Sequence, residues 1–454
     1  MLVGGIGAGA LIALPDLSSS GRSPARSTTS PASGSFAPRY LLLYGTPDTT
    51  APPGAAAAAA KSPAARPVSL PAAKPVAAML AAAPVSSPDR SAVALVTVDS
   101  VPGGAKLTLT LVDTATAAVQ KQGSVAITGI PDGTSIVPKP VFGPGTTTIA
   151  VVLAITEPSD KRLVTKRDPH TRAAVPMQAV TWTSHHALAY FDTGSGDFTG
   201  PFHLANAPAL GLTTAAANGS DLFIWSTAEP RPVPTAKKGS WSAPLPQVSV
   251  FPLGSAKARL SVPSPGPWAS GEPVVTLASG DVARLVNSRT VQVSSARTGE
   301  VTQTTVAPLA EMRAKPSAVT MEARADGTVF ITKPGIGQAV IADPSDSFRV
   351  TAQVSYPVPA APLGAPSSKA ALSPDGRTLY VLGGAKSGGL SAYDVPTGKL
   401  AGSYSSGRPY FGLYQLASGT LLTISPGNPR LEFFSPELSP LGTVSTSLQV
   451  SAVY

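Results

Sequence analysis

The chain contains no cysteine and little charge. None of its 454 residues is a cysteine, which excludes disulfides, thiolate chemistry, cysteine-ligated zinc and a lipid anchor on cysteine. Charged residues make up 13% of the chain, against about 25% in a typical soluble domain. These absences remove the functions that need cysteine chemistry, and they leave the cellular compartment open.

Turn-forming and apolar residues are abundant instead. The chain has 42 glycines and 48 prolines, and 43% of its residues are hydrophobic. Glycine and proline at this level argue against a helical protein and favour many short strands joined by turns. The net charge of +9 favours acidic partners, but it is a modest excess for a chain of this length.

The first part of the chain differs in composition from the rest. Residues 1–14 are apolar, too short to span a bilayer, and no basic residue precedes Arg22; they are interpreted as a signal-like or anchor remnant. Residues 15–74 are rich in Ser, Pro and Ala and predict a disordered tether. Within it, residues 39–45 form an isolated candidate strand that could close a domain covering residues 75–454.

Two kinds of turn recur in alternation through that domain. The first kind contains Pro-Asp-Gly or a simpler Gly turn, as in "SPDG" at residues 373–376, and the second resembles "YDVPTG" at 393–398. Each kind occurs seven times. Asp and Ser or Thr cap the local backbone in such turns, while Gly supplies the positive φ that they require.

One repeat is therefore four strands, here called a to d. The a–b turn is of the first kind and the c–d turn of the second. Repeats of four antiparallel strands are typical of β-propeller blades. The apolar runs "AVALVTV" (92–98) and "TIAVVLAI" (148–155) indicate sheets covered on both faces. The prediction is an all-β, seven-bladed propeller, with strand a of the first blade drawn from residues 76–85.

The best repeat resembles the WD-repeat-like, YVTN-type propeller superfamily. The residues that carry the resemblance are Ser373-Pro374-Asp375-Gly376, Leu379-Tyr380-Val381, Tyr393-Asp394 and Thr397-Gly398. The resemblance is clear over residues 370–400, and the repeats elsewhere match the pattern only weakly. The resemblance implies a fold and leaves function open, because such propellers include enzymes, scaffolds and ligand-binding modules.

No catalytic, metal or cofactor site is predicted. His185 and His186 are adjacent on one strand, so their side chains should point to opposite faces and cannot easily share a metal. The sequence has no P-loop, HExxH, GxSxG or EF-hand pattern. A convergent carboxylate set cannot be assembled from the acidic residues that remain once six aspartates are assigned to turns: Asp113, Asp192, Asp326, Asp343, Asp375 and Asp394. A hydrolase or lactonase with its site at the central channel remains the alternative.

The second and third blades carry insertions between strands b and c. Because b–c connections lie at the same end of each blade, both insertions should emerge side by side on one face. They bring together basic and aromatic residues that suit an anionic polymer or a protein surface. The predicted binding residues are Lys161, Arg162, Lys166, Arg167, Arg172, Trp182, Arg231, Lys237, Lys238 and Trp241.

The functional prediction is non-catalytic binding or scaffolding. The expected partner is a protein or an anionic envelope polymer, and no feature favours nucleic acid. The apolar start places the protein outside the cytoplasm or tethered to a membrane, whereas a cytoplasmic protein-interaction scaffold is the other alternative. The oligomeric state and the identity of the ligand do not follow from the sequence.

Overall fold

The computed structural model is built almost entirely of antiparallel strands. It describes the residues in the following ranges: 7–13, 40–47, 74–82, 84–87, 91–114, 116, 118–143, 147–167, 174–204, 214–227, 246–263, 273–286, 289–306, 309, 319–324, 326–333, 336–357, 370–382, 389–405, 410, 412–416, 419–425, 430–445 and 448–453. Within these ranges there is no α-helix, and therefore no helix that could cross a membrane.

Seven four-stranded sheets follow one another along the chain, each with its strands hydrogen-bonded in chain order. Sheet 1 has β4 (Val85–Ser86), β5 (Ala92–Val101), β6 (Gly104–Asp113) and β7 (Val119–Thr128); sheet 2 has β8 (Ser135–Phe142), β9 (Thr148–Arg167), β10 (Ala174–Asp192) and β11 (Phe198–Leu204). Sheet 3 has β12 (Thr214–Ala217), β13 (Asp221–Thr227), β14 (Pro246–Pro252) and β15 (Leu260–Pro263); sheet 4 has β16 (Val274–Thr276), β17 (Val282–Val286), β18 (Thr290–Ser294) and β19 (Val301–Thr305). Sheet 5 has β20 (Thr320–Ala323), β21 (Val329–Lys333), β22 (Gln338–Asp343) and β23 (Arg349–Ser355); sheet 6 has β24 (Ala370–Leu372), β25 (Thr378–Leu382), β26 (Gly389–Asp394) and β27 (Leu400–Ser405); sheet 7 has β28 (Gly412–Gln415), β29 (Leu421–Ser425), β30 (Arg430–Phe434) and β31 (Pro440–Ser445). The seven predicted repeats are confirmed, and the fold is a β-propeller.

The recurring turns are held as the sequence indicates. In sheet 6 the Asp394 carboxylate accepts a hydrogen bond from the Thr397 backbone N–H at 2.9 Å, and Gly398 has a φ of +67°. Asp113 accepts from the Thr116 N–H at 2.8 Å in the matching turn of sheet 1. These turns occupy one end of the sheets, which is called the turn face below.

Neighbouring sheets pack through apolar clusters. Sheets 1 and 2 share the largest cluster, which contains Leu107, Leu109, Leu153 and Phe191, all fully buried. Similar clusters join sheets 2 and 3, 3 and 4, 4 and 5, 5 and 6, and 6 and 7. The near-continuous apolar strands of the sequence are explained by this double cover, since each sheet buries both faces against its neighbours.

An eighth four-stranded sheet joins the two ends of the series. Its order is β3 (Lys74–Leu80), β1 (Gly7–Ala13), β2 (Tyr40–Pro47) and β32 (Leu448–Val453). β32 lies against β28 of sheet 7, and β3 lies against β5 of sheet 1. This closing sheet thus fills the gap between the last and the first of the seven repeats.

The closing sheet was not anticipated in this form. β2 was expected to add to the last repeat beside residues 441–450, but it pairs with β32, with Leu43 opposite Val453, in a separate sheet. Residues 76–85 were expected to supply strand a of the first repeat. Instead residues 76–80, half of that segment, belong to β3 of the closing sheet, and only Val85–Ser86 serves sheet 1. The predictions for residues 1–6, 14–39 and 48–73 lie outside the described residues.

Candidate interaction site

The longest strands of the protein form a ribbon that extends from sheet 2. β9 has 20 residues and β10 has 19, and they pair along their full length, from Asp192 opposite Thr148 to Ala174 opposite Arg167. β8 accompanies β9 only as far as Thr156, and β11 accompanies β10 only from His186. The part beyond, Glu157–Arg167 with Ala174–His185, is called the arm below.

The arm differs from the predicted irregular loop. The sequence placed an insertion between strands b and c, and the structure shows that the two strands themselves continue through most of it. Residues such as Leu163-Val164-Thr165 and Val180-Thr181 favour extended backbone, and pairing of the two strands satisfies the N–H and C=O groups that face each other. At about 3.3 Å per residue, the arm extends roughly 30 Å beyond the sheet.

Five of the ten predicted binding residues lie on the arm. Lys161, Arg162, Lys166 and Arg167 are in β9, opposite Val180, Ala179, Val175 and Ala174 of β10, and Trp182 of β10 lies opposite Pro158. Arg172 falls in residues 168–173, and Arg231, Lys237, Lys238 and Trp241 fall in residues 228–245. Both segments lie outside the described residues. The structure therefore brings five predicted residues onto one ribbon and leaves the other five as predictions.

The arm leaves sheet 2 at the end opposite the turn face, here called the arm face. The second insertion connects Thr227 of β13 with Pro246 of β14, so it starts and ends on the same face of the neighbouring sheet. Tyr190 of sheet 2 fixes the two sheets to each other, because its hydroxyl donates a hydrogen bond to the Ser255 carbonyl at 2.8 Å on the turn face. The ends of the two insertions therefore lie on the same face of neighbouring sheets, and their side-by-side placement remains a prediction.

A cleft also opens on the arm face, between sheets 1 and 2. Its volume is about 320 Å³, and it is lined by the β5–β6 hairpin end and by the connection from β7 to β8. Asp99 and Asp132 contribute carboxylates, and Val101 and Val137 contribute exposed apolar side chains. Sequence reasoning did not identify this cleft, because the residues that line it come from two connections without a distinctive motif.

Three ionisable side chains meet at the base of the arm. The His185 Nε2 atom lies 3.8 Å from the Glu157 Oε1 atom, and the His185 and His203 rings are 5.4 Å apart between centroids. Beside them, the Thr156 and Ser184 hydroxyl oxygens are 3.0 Å apart. No sequence motif indicates this cluster, because it depends on the register of β9, β10 and β11. Across the described ranges, no group of three or more His, Asp or Glu residues is placed to hold a metal ion.

His186 has the opposite environment from His185. It is 5% exposed, whereas His185 remains partly exposed, which agrees with the prediction that the two side chains point to opposite faces. Burial lowers the pKa of His186, and the neighbouring His185 lowers it further. The folded protein therefore favours the neutral form of His186.

This environment predicts a pH-dependent stability. Because the folded pKa is lowered, the unfolded chain takes up the proton first, so stability falls as the pH drops through histidine's ordinary pKa of about 6.5. We expect the drop in thermal midpoint between about pH 7.5 and about pH 5.5 to be smaller in His186→Gln than in the wild type. His203→Gln, at an exposed position, is the matched control, and an equal effect of both variants would contradict the assignment.

Comparison with known proteins adds no conclusion about family or function. No family model matches the chain, and no curated protein matches it. Among solved structures, dihydro-heme d1 dehydrogenase NirN in complex with DHE is similar with 12% identity and a TM-score of 0.44, over 85% of this chain and 70% of that one. A candidate 6-phosphogluconolactonase of Bacteroides uniformis has 12% identity and a TM-score of 0.40, over 99% of both chains.

Virginiamycin B lyase of Staphylococcus aureus is a further structural neighbour. It has 10% identity and a TM-score of 0.36, over 59% of this chain and 82% of that one. These neighbours differ in the activities that their names state, so they carry no conclusion about activity here.

Proposed function

We propose that the protein is a non-catalytic binding propeller whose arm contacts an anionic polymer. The observation that carries the proposal is the concentration of Lys161, Arg162, Lys166 and Arg167 on one strand of a ribbon that extends beyond its sheet. Glu157 and Asp160 are the acidic residues of that strand. Exposed charges of one sign attract oppositely charged partners over about 8–10 Å at physiological salt.

The second insertion is part of the same proposal. Arg231, Lys237 and Lys238 would add positive charge beside the arm, and Trp182 and Trp241 would add contact area once a partner is bound. A polymer can contact both insertions at once because they leave neighbouring sheets on the same face. The rest of the propeller serves as a rigid support for them.

Charge reversal on the arm tests the proposal. We expect a variant with Glu at positions 161, 162, 166 and 167 to bind immobilised heparin, used as a sulfated polysaccharide probe, at least tenfold more weakly than the wild type. The reason is that each basic side chain near an anionic surface contributes on the order of 1 kcal/mol. Wild-type binding should also weaken as salt rises.

A variant with the same change in net charge provides the control. Lys257, Arg297, Arg377 and Lys399 are exposed and lie on the turn face, so their reversal to Glu should retain most of the binding. If both variants lose binding equally, overall charge is responsible and the arm is not the site. Lys237→Glu with Lys238→Glu, made separately, measures the contribution of the second insertion.

The location of the protein is a separate proposal. We place it outside the cytoplasm or at a membrane, and the apolar residues 1–14 support this. Residues 7–13 of the same segment also form β1, so a mature chain that keeps them can build the closing sheet. Cell fractionation combined with mass spectrometry of the N-terminus tests both points, and an intact chain found only in the cytosol would contradict the proposal.

A further inference from the structure

Neither strand of the arm has a second partner strand in the part of the chain that the structure describes. Beyond Thr156, β9 pairs only with β10 among the described strands, and before His186, β10 pairs only with β9. A two-stranded ribbon by itself is at best marginally stable in water. Its outer edges also present rows of unpaired N–H and C=O groups that can pair with another strand.

The two edges of the arm differ in sequence. The β9 edge, Glu157–Arg167, contains Pro158 and six charged residues: Glu157, Asp160, Lys161, Arg162, Lys166 and Arg167. The β10 edge, Ala174–Ser184, contains no Asp, Glu, Lys or Arg, and a single proline at position 176. Charged residues and proline protect an edge strand from pairing. The β9 edge is therefore protected, and most of the β10 edge is not.

The chain that follows β11 is too short to cover the full length of the β10 edge. After Leu204 the chain must reach Thr214, the start of β12, which lies against β8 at the far side of sheet 2. That crossing spans three interstrand distances, about 14 Å. Residues 205–213 reach about 30 Å when fully extended, which is too short to run out along the arm, return and cross the sheet.

We infer that the β10 edge of the arm pairs with the same edge of a second copy of this chain. Two identical edges related by a two-fold axis pair antiparallel, giving a four-stranded ribbon with both β10 strands in the middle and both β9 strands outside. Isologous contacts of this kind are the commonest in soluble oligomers. Each N–H and C=O group of the open edge then gains a partner.

The distribution of charge on the arm supports a second copy of the chain as the partner of the β10 edge. In the paired ribbon the two charged β9 strands are separated by three interstrand distances, about 14 Å. This exceeds the screening length of about 8 Å at physiological salt, so repulsion between the two copies is weak. An acidic partner strand would be better recruited by an edge that itself carries positive charge, and here that edge is the β9 edge.

The inference and the proposed function concern different edges of the arm. Pairing requires the uncharged β10 edge, whereas polymer binding requires the charges of β9, so each can fail without the other. If both hold, the dimer presents two rows of basic residues on one ribbon. Binding to a long polymer would then be strengthened by the simultaneous use of both copies.

The absence of cysteine allows a direct test. Single cysteines at successive positions from Val175 to Ser184 of the full chain can form disulfides only between two copies. With a two-fold axis, a residue meets its own counterpart only next to the axis, where the Cβ atoms come within about 5.5 Å. We expect oxidation to cross-link one or two neighbouring positions strongly, and Thr165→Cys on β9 not at all. Uniform cross-linking, or none, would overturn the inference.

Molecular mass in solution provides the second measurement. We expect sedimentation to give twice the monomer mass for the wild type, and Gln178→Lys with Val180→Lys to raise the dissociation constant of the dimer at least tenfold. Leu163→Lys with Thr165→Lys on β9 adds the same charge and should leave the dimer intact. A monomeric wild type would overturn the inference, as would a dimer that survives the β10 change. The cysteine scan remains decisive if the charge variant fails to fold.

Discussion

Deletion of residues 1–47 is expected to destabilise the whole propeller. The deletion removes β1 and β2, so β32 loses its paired neighbour and β3 loses β1. The facing sides of sheets 1 and 7 would then be exposed to water, and each buried apolar side chain contributes about 1.5–3 kcal/mol. We expect a large fall in the thermal midpoint, measured by circular dichroism, together with increased aggregation through the open edges.

A linker replacement separates this effect from simple shortening. Replacing residues 50–69 with a Gly/Ser linker of the same length keeps β1, β2 and β3 and should leave the midpoint close to that of the wild type. A deletion variant that is as stable as the wild type would show that the closing sheet contributes nothing. Equal losses in both variants would indicate that residues 50–69 themselves matter.

Trp225→Ala is expected to cost about 3–5 kcal/mol in the free energy of unfolding, the usual range for removing a buried tryptophan. Trp225 is 1% exposed. Its ring stacks on Phe223 with the centroids 6.0 Å apart, in the cluster that joins sheets 3 and 4. The loss leaves a cavity that the neighbouring strands cannot fill without giving up their own pairing.

Urea denaturation followed by circular dichroism measures this change. Leu400→Ala is the control, because Leu400 is 57% exposed and its truncation should change stability by less than about 0.5 kcal/mol. If the two variants are equally stable, the cluster between sheets 3 and 4 is not packed as described.

The repeat was predictable because its signals are local. The Asp394 and Gly398 turn needs particular side chains at fixed positions, and such turns mark the sheet ends even where the strands between them diverge. The position of the insertion in sheet 2 followed from the same turns. The all-β fold and the seven consecutive sheets therefore follow from the sequence alone.

What the sequence did not reveal depends on contacts between distant segments. The closing sheet combines strands separated by Ser-, Pro- and Ala-rich segments and carries none of the recurring turns, so a turn count cannot include it. Lys333 ends an apolar strand and would be assigned to the surface, yet it is fully buried. Burial, together with the smaller effect of the nearby Arg289 charge, lowers the pKa of Lys333 to about 8. The meeting of Glu157, His185 and His203 likewise requires the exact register of three strands.

The closing sheet has a consequence for the order of folding. On the ribosome, β1, β2 and β3 are synthesised before any of the seven sheets, whereas β32 is synthesised after all of them. Pairing of β2 with β32 is therefore the contact with nearly the largest sequence separation in the protein, and such contacts form slowly. Until it forms, sheets 1 and 7 each keep one apolar side uncovered, so we expect incomplete chains to be prone to aggregation until the last strand is synthesised.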